Sequence, residues 1–157
     1  MPSSAEPCPD TAQPARRRAM EAFAASDAPT LAAAWDAIAG ETTVTSLRGP
    51  EAGLVMLRGR IGGSGAPFNL GEASVTRASV RLASGEVGHA MVLGRDTDHV
   101  RLAAQLDAGW QREDWRAAIE AAVVEPALRR QAEADLRSAE ETEATRVDFF
   151  TMVRGDD

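Results

Sequence analysis

Arginine is the side chain with the most chemistry to offer in this sequence, which contains seventeen of them and no lysine. Arg58 and Arg60 are two residues apart and Arg77 and Arg81 four apart, in stretches that read as strands. Side chains alternate across a strand, so each pair shares one face. If the two faces coincide, four guanidinium groups converge on a phosphate-bearing ligand, which suits arginine's bidentate geometry. The same spacing serves equally well for ion pairs with carboxylates across strands or across an interface. The pattern leaves both readings open.

The other reactive types are sparse. His89 lies in "VGHAMVL", alternating with Val87, Met91 and Leu93, which predicts a packed, hydrogen-bonded core histidine rather than a base. His99 follows Asp96 and Asp98 in "GRDTDH", a short cluster of metal-ligand types. Asp96, however, stands where a helix N-cap belongs, and no distant histidine or cysteine completes a set, so no metal site is expected. The one cysteine, Cys8, excludes an internal disulfide and a thiolate zinc site. With neither lysine nor tyrosine, a Schiff base, a phosphate-loop lysine and a tyrosine acid are ruled out. The glycine-rich "RGRIGGSGAPFNLG" lacks the Gly-Lys-Ser/Thr of a phosphate loop. It also lacks the G-x-G-x-x-G of a dinucleotide fingerprint, and reads as a connection between strands. No nucleophile has a base beside it, and no residue is assigned a catalytic role.

The elements that position these residues follow from periodicity. Ala19, Met20, Phe23 and Ala24 mark a first helix. Asp27 and Pro29 open a second, carrying Leu31, Trp35 and Ile38 and stopped by Gly40. Four strands are predicted at about 43–48, 54–61, 73–82 and 86–93, as an antiparallel meander with helices on one face. The other face is left for solvent or a partner. Helices resume after Asp96 and again near Glu113, and Pro126 is expected to break or kink the last of them. The fold class is α+β.

Beyond Pro126 the chain is polar on nearly all sides, with Arg129, Glu133, Arg137 and Glu141 at four-residue steps. Such a helix is expected to project, its roughly 18 residues spanning about 27 Å. It ends in "RVDFFTMVRGDD", where Phe149, Phe150, Met152 and Val153 gather apolar surface far from the centre of the domain. Burying a Phe or Met is worth about 1.5–3 kcal/mol, so this cluster is read as an anchor for another chain, the alternative being an arm that folds back to complete the home core. The expected organisation is a disordered extension over 1–15, an α+β domain over 16–125, and a helical arm with its docking segment over 126–157.

The first residues lack the apolar stretch of a secretory signal, and no run approaches the roughly 20 apolar residues of a membrane span. A cytoplasmic protein with no membrane association is expected. A net charge of −7 argues against nucleic acid as a partner.

Three stretches carry a resemblance to a known family: "GPEAGLVMLRGRIGGSGAPFNLGEASVTRASVRL" (49–82), "GHAMVLGRDTDHVRLAAQLDA" (88–108) and, most specifically, "TRVDFFTMVRGD" (145–156). They resemble PhnG, the G subunit of the bacterial carbon–phosphorus lyase core complex. The resemblance implies a cytoplasmic assembly with H, I and J subunits and an ABC-type ATP-binding partner. It implies an ATP-dependent reaction in which methylphosphonate displaces adenine, giving α-D-ribose 1-methylphosphonate 5-triphosphate. ATP is then a substrate of the complex, and no cofactor is expected on this chain. The family's nucleosidase activity is associated with the I subunit and its radical chemistry with the J subunit. The resemblance assigns no catalytic residue here.

Overall fold

The computed structural model of the protein describes residues 12–61 and 65–144. Two helices, α1 (Ala12–Ala25) and α2 (Ala28–Ala39), precede the strands β1 (Val44–Arg60), β2 (Pro67–Leu82) and β3 (Val87–Leu93). The strands form one antiparallel sheet in the order β1-β2-β3. α3 (Thr97–Trp110) and α4 (Glu113–Ile119) follow, then a π segment (Glu120–Val124) that leads directly into α5 (Glu125–Ala144). The architecture is α+β, as expected.

Local chemistry sets the helix ends. The Asp27 carboxylate accepts from the Thr30 N–H at 2.7 Å, and Asp96 accepts from the His99 N–H at 2.9 Å, satisfying donors that a first helical turn leaves unpaired. Gly40, with φ of +54°, ends α2 in a conformation that favours glycine.

α3 is the central element, buried along Leu102–Trp110 because both of its sides are covered. Val100, Ala104 and Ala108 pack on Ala78, Val80 and Leu82 of β2 and Val92 of β3. Leu102, Ala103, Leu106 and Trp110 meet Phe23, Leu31, Ile119 and Val123 from the surrounding helices. The contact with β3 is close: a Cβ on Gly88 would lie against Ala104 O and 2.5 Å from Ala108 N.

Four expectations are corrected. The first two predicted strands are one, because β1 passes through Gly49 and Pro50 with register shifts at Ser46/Arg48 and Arg48/Glu51. β1 is an edge strand, where a proline costs no ladder bond, and Gly49 takes φ of +65°. β2 in turn starts at Pro67 rather than near 73, since Pro67–Gly71 already pair with β1. Pro126 does not break its helix. The π segment, in which the Glu125 N–H reaches Glu120 O, widens the turn ahead of the ring and gives room to the carbonyl an α turn would press against it. His89 is exposed rather than part of the core. The close approach of α3 selects Gly88 and Val92 for its side of β3, which turns His89, Met91 and Leu93 outward.

From Arg129 to Glu143 every residue of α5 is exposed. Among the described residues, no ion pair closes between Arg129, Glu133, Arg137 and Glu141.

Candidate functional site

β3 covers β2 only from Val75 to Arg81, and α3 packs beneath that same part of the sheet. Beyond it, β1 from Leu54 to Arg60 and β2 from Pro67 to Ala73 pair only with each other among the described residues. This two-stranded ribbon exposes large apolar side chains on both faces. Leu54 (63% exposed) and Met56 (53%) lie on the side that carries α3 farther along the sheet. The opposite face carries Leu57 and Phe68, with Leu70 folded over Gly59. That face continues along the sheet through Val75 to Met91 and Leu93 (75% exposed). Exposed apolar surface gathered in this way marks an interaction site.

The strand register separates the four arginines. Leu70 is a bulge residue, since Leu57 pairs with Gly71 and Arg58 with Asn69. Alternation along β1 therefore puts Arg58 and Arg60 on the α3 side, and Arg77 and Arg81 on the opposite face. The eight residue steps of β2 from Asn69 to Arg77 add roughly 26 Å of separation. The structure brings together each pair but not the four. Arg77 and Arg48 both bind Glu51, at 2.8 and 2.6 Å, and these bonds hold its carboxyl below the usual range, the one from Arg48 first. Here the cross-strand reading holds. Arg60 donates to Gly65 O at 3.0 Å. Arg58 and Arg81 have no ion pair or hydrogen bond among the described residues.

At the far edge of the sheet, an open cleft of about 490 Å³ lies between α1 and β3, lined by Arg16, Arg17, His89, Trp110 and Arg116 among others. Its basic groups are already engaged. Asp107, with a side chain only 1% exposed, takes two bonds from Arg16, at 2.8 and 2.7 Å, and a third from the His89 N–H at 2.8 Å. Arg16 and Gln111 donate to Val87 O. Arg17 pairs with Glu21, while Arg116 donates to two carbonyls and stacks 4.5 Å from the Trp110 ring. These contacts close the edge of β3, which would otherwise be open to another strand. The His89 ring bonds to Ser79 Oγ at 2.8 Å. His99 Nε2 lies 3.0 Å from Phe23 O, tying α3 to α1, and Asp96 is the cap, so the short Asp-His cluster has structural work. No group of His, Cys, Asp and Glu able to hold a metal forms among the described residues, nor is any described helix long and apolar enough to cross a membrane.

Phe149, Phe150, Met152 and Val153 lie outside the described residues. The ribbon residues are what sequence reasoning missed, although a signal was present. "LVML" at 54–57 is apolar at both parities, the pattern of a strand covered on two faces rather than one.

Comparison with known proteins agrees with the resemblance. The sequence profile of the family described as "Phosphonate metabolism protein PhnG" matches residues 14–155. A relative from Rhizobium meliloti (strain 1021), "Alpha-D-ribose 1-methylphosphonate 5-triphosphate synthase subunit PhnG", is 53% identical over 157 residues, covering 100% of both chains. The chain belongs to the PhnG family of phosphonate metabolism proteins.

Proposed function

We propose that this chain is a subunit of an α-D-ribose 1-methylphosphonate 5-triphosphate synthase and acts by assembly rather than as a catalyst alone. The observation that carries the reading is the ribbon: Leu54, Met56, Leu57, Phe68 and Leu70 stand in water at 40% exposure or more. A monomer gains nothing from that surface, whereas a partner that buries it gains about 25 cal/mol for each Å² covered. The name of the 53% identical relative supplies the assembly.

In its finer form, the reading makes the partners the H, I and J subunits of the carbon–phosphorus lyase core complex, served by an ABC-type ATP-binding protein in the cytoplasm. The reaction is the ATP-dependent displacement of adenine by methylphosphonate. ATP enters as a substrate of the complex, and this chain binds no cofactor of its own. Phe149, Phe150, Met152 and Val153 act as a second anchor on the arm, separate from the α+β domain.

The test is co-expression with the three partner subunits, followed by light-scattering mass on a sizing column. The expected result is one large complex containing this chain, and its loss when Phe149 and Phe150 both become Ala. A monomer indifferent to the partners overturns the reading, and intact assembly of the double variant removes the terminal anchor from it.

A second reading gives the strand arginines a hold on the phosphate-bearing substrate. It is favoured at Arg58 and Arg81, which have no ion partner among the described residues. Substituting Arg58, Arg60, Arg77 or Arg81 singly by Gln, with assembly intact and turnover lowered, decides for it. Unchanged kinetics in all four decides against.

A further inference from the structure

The ribbon exposes large apolar side chains on both faces, those on the α3 side standing beside Arg58, Arg60 and Glu72, and this constrains how it is covered. Along β1, Leu54 and Met56 point to one side and Val55 and Leu57 to the other. Among the described residues, both long edges are unpaired from Gly53 to Arg60 on β1 and from Pro67 to Ala73 on β2. Three ways of covering such an element differ in what they bury. A strand added at an edge satisfies backbone groups and covers neither face. A flat surface, or a second ribbon stacked on the first, covers one face and leaves the other wet. Only a slot covers both.

Area points the same way. Eight residues at about 3.3 Å each give a ribbon roughly 26 Å long, and two strands about 4.8 Å apart give a width near 10 Å. One face then offers on the order of 260 Å², about a third of the roughly 800 Å² per partner in a stable interface. Both faces and the edges at least double that, and the outer face extends it through Met91 and Leu93.

Charge separates a different subunit from a second copy. Between Gly53 and Ser74 the charged residues are Arg58, Arg60 and Glu72, a positive balance on a chain of net charge −7. A second copy brings the same arginines to the contact. A partner with a carboxylate in its slot complements them; neither arginine has an ion pair among the described residues, and Arg58, unlike Arg60, has no hydrogen bond there either.

We propose that the β1–β2 ribbon inserts into an apolar slot of a different subunit, which covers both of its faces and presents a carboxylate to Arg58. This rests on the reading of the chain as an assembly subunit, and the experiment separates the two. The full chain is co-expressed with the other subunits as wild type, Leu54→Glu, Leu70→Glu and Arg58→Glu. Incorporation is read from the sizing column, and folding from the circular dichroism of each chain.

Leu54→Glu and Leu70→Glu, one on each face, are each expected to cut incorporation at least about tenfold, with Arg58→Glu doing the same. In the wild-type complex, oxidative footprinting is expected to protect Met56 on one face and Phe68 on the other. This readout does not depend on any variant folding. Loss of incorporation in one face variant only, with protection of one probe only, overturns the slot and leaves the assembly reading standing. Normal assembly of all three variants, with neither probe protected, overturns the slot, whereas a wild-type chain that enters no complex overturns the assembly reading and the slot with it.

Discussion

Asp107→Asn is the sharpest probe of how this domain holds its sheet. The carboxylate accepts three bonds inside the protein: Arg16 Nε at 2.8 Å, Arg16 Nη2 at 2.7 Å and the His89 N–H at 2.8 Å. Asparagine has the same shape but a single oxygen, so its amide N–H₂ must face one of those donors. Breaking a buried charge pair by removing one partner costs about 3–5 kcal/mol. Arg16 retains 31% side-chain exposure and can turn partly into water, which places the cost near the lower end, about 3 kcal/mol. For a chain of this length, each kcal/mol moves Tm by about 2–4 °C, so a fall of roughly 6–12 °C is expected in a thermal melt. Hydrogen exchange at the His89 amide should quicken more than exchange at core amides of α3, because the edge opens before the domain unfolds. A loss below about 1 kcal/mol with an unchanged His89 amide would refute the reasoning and rank the pair with surface salt bridges.

Further outcomes follow from other local geometries. Gly88→Ala puts a Cβ against Ala104 O and 2.5 Å from Ala108 N, both backbone atoms, so α3 must shift; the expected loss exceeds about 3 kcal/mol by denaturant titration, and a near-wild-type midpoint contradicts it. Asp27→Ala removes the cap on Thr30 N and should cost about 1 kcal/mol, seen as a Tm drop of about 2–4 °C. Asp27, Glu51, Glu86 and Asp114 all have carboxyl groups held below their usual range, chiefly by bonds from Thr30, Arg48, Ser84 and Arg112 respectively. Depressed folded values give stability that is present above about pH 4 and lost as pH falls through them, so Tm should decline from pH 4 toward 2; a flat profile would contradict this. Gln105 Oε1 is buried with no partner among the described residues, so Gln105→Met should leave stability unchanged or raise it, and a loss beyond 1 kcal/mol in denaturant melts would show a hidden partner.

What the sequence revealed, and what it concealed, divides along physical lines. The caps Asp27 and Asp96 and the stop at Gly40 were legible because each depends on one residue type at one place. The face of β3 was misread, since size suggested that Val87, Met91 and Leu93 point inward. The helix comes too near for large side chains, and small ones at Gly88, Ala104 and Ala108 mark the contact instead. Whether Arg58 and Arg77 meet was not legible, because it turns on the register, which sets Glu51 rather than Arg58 opposite Arg77. The continuity of β1 through Pro50 was hidden for a related reason: a proline stops a central strand but not an edge one.

The two edges of the sheet carry an argument that neither makes alone. An unpaired edge invites aggregation, and folds usually cover or charge it. This fold closes the start of one edge with side chains: Asp107 takes the His89 amide, while Arg16 and Gln111 take Val87 O. Building that seam requires a buried carboxylate, two long side chains and a helix laid alongside. On the opposite edge β1 runs for 17 residues, and past Val55 it and β2 are left with large apolar side chains on both faces and three charges between them. A chain able to close the start of β3 with side chains from α1, α3 and the residue after α3 could have shortened the ribbon or studded it with charge. Its length and apolarity are therefore better explained as a surface kept for another subunit than as one merely tolerated. This is why the ribbon, rather than the cleft beside α1, is where substitutions should separate assembly from folding.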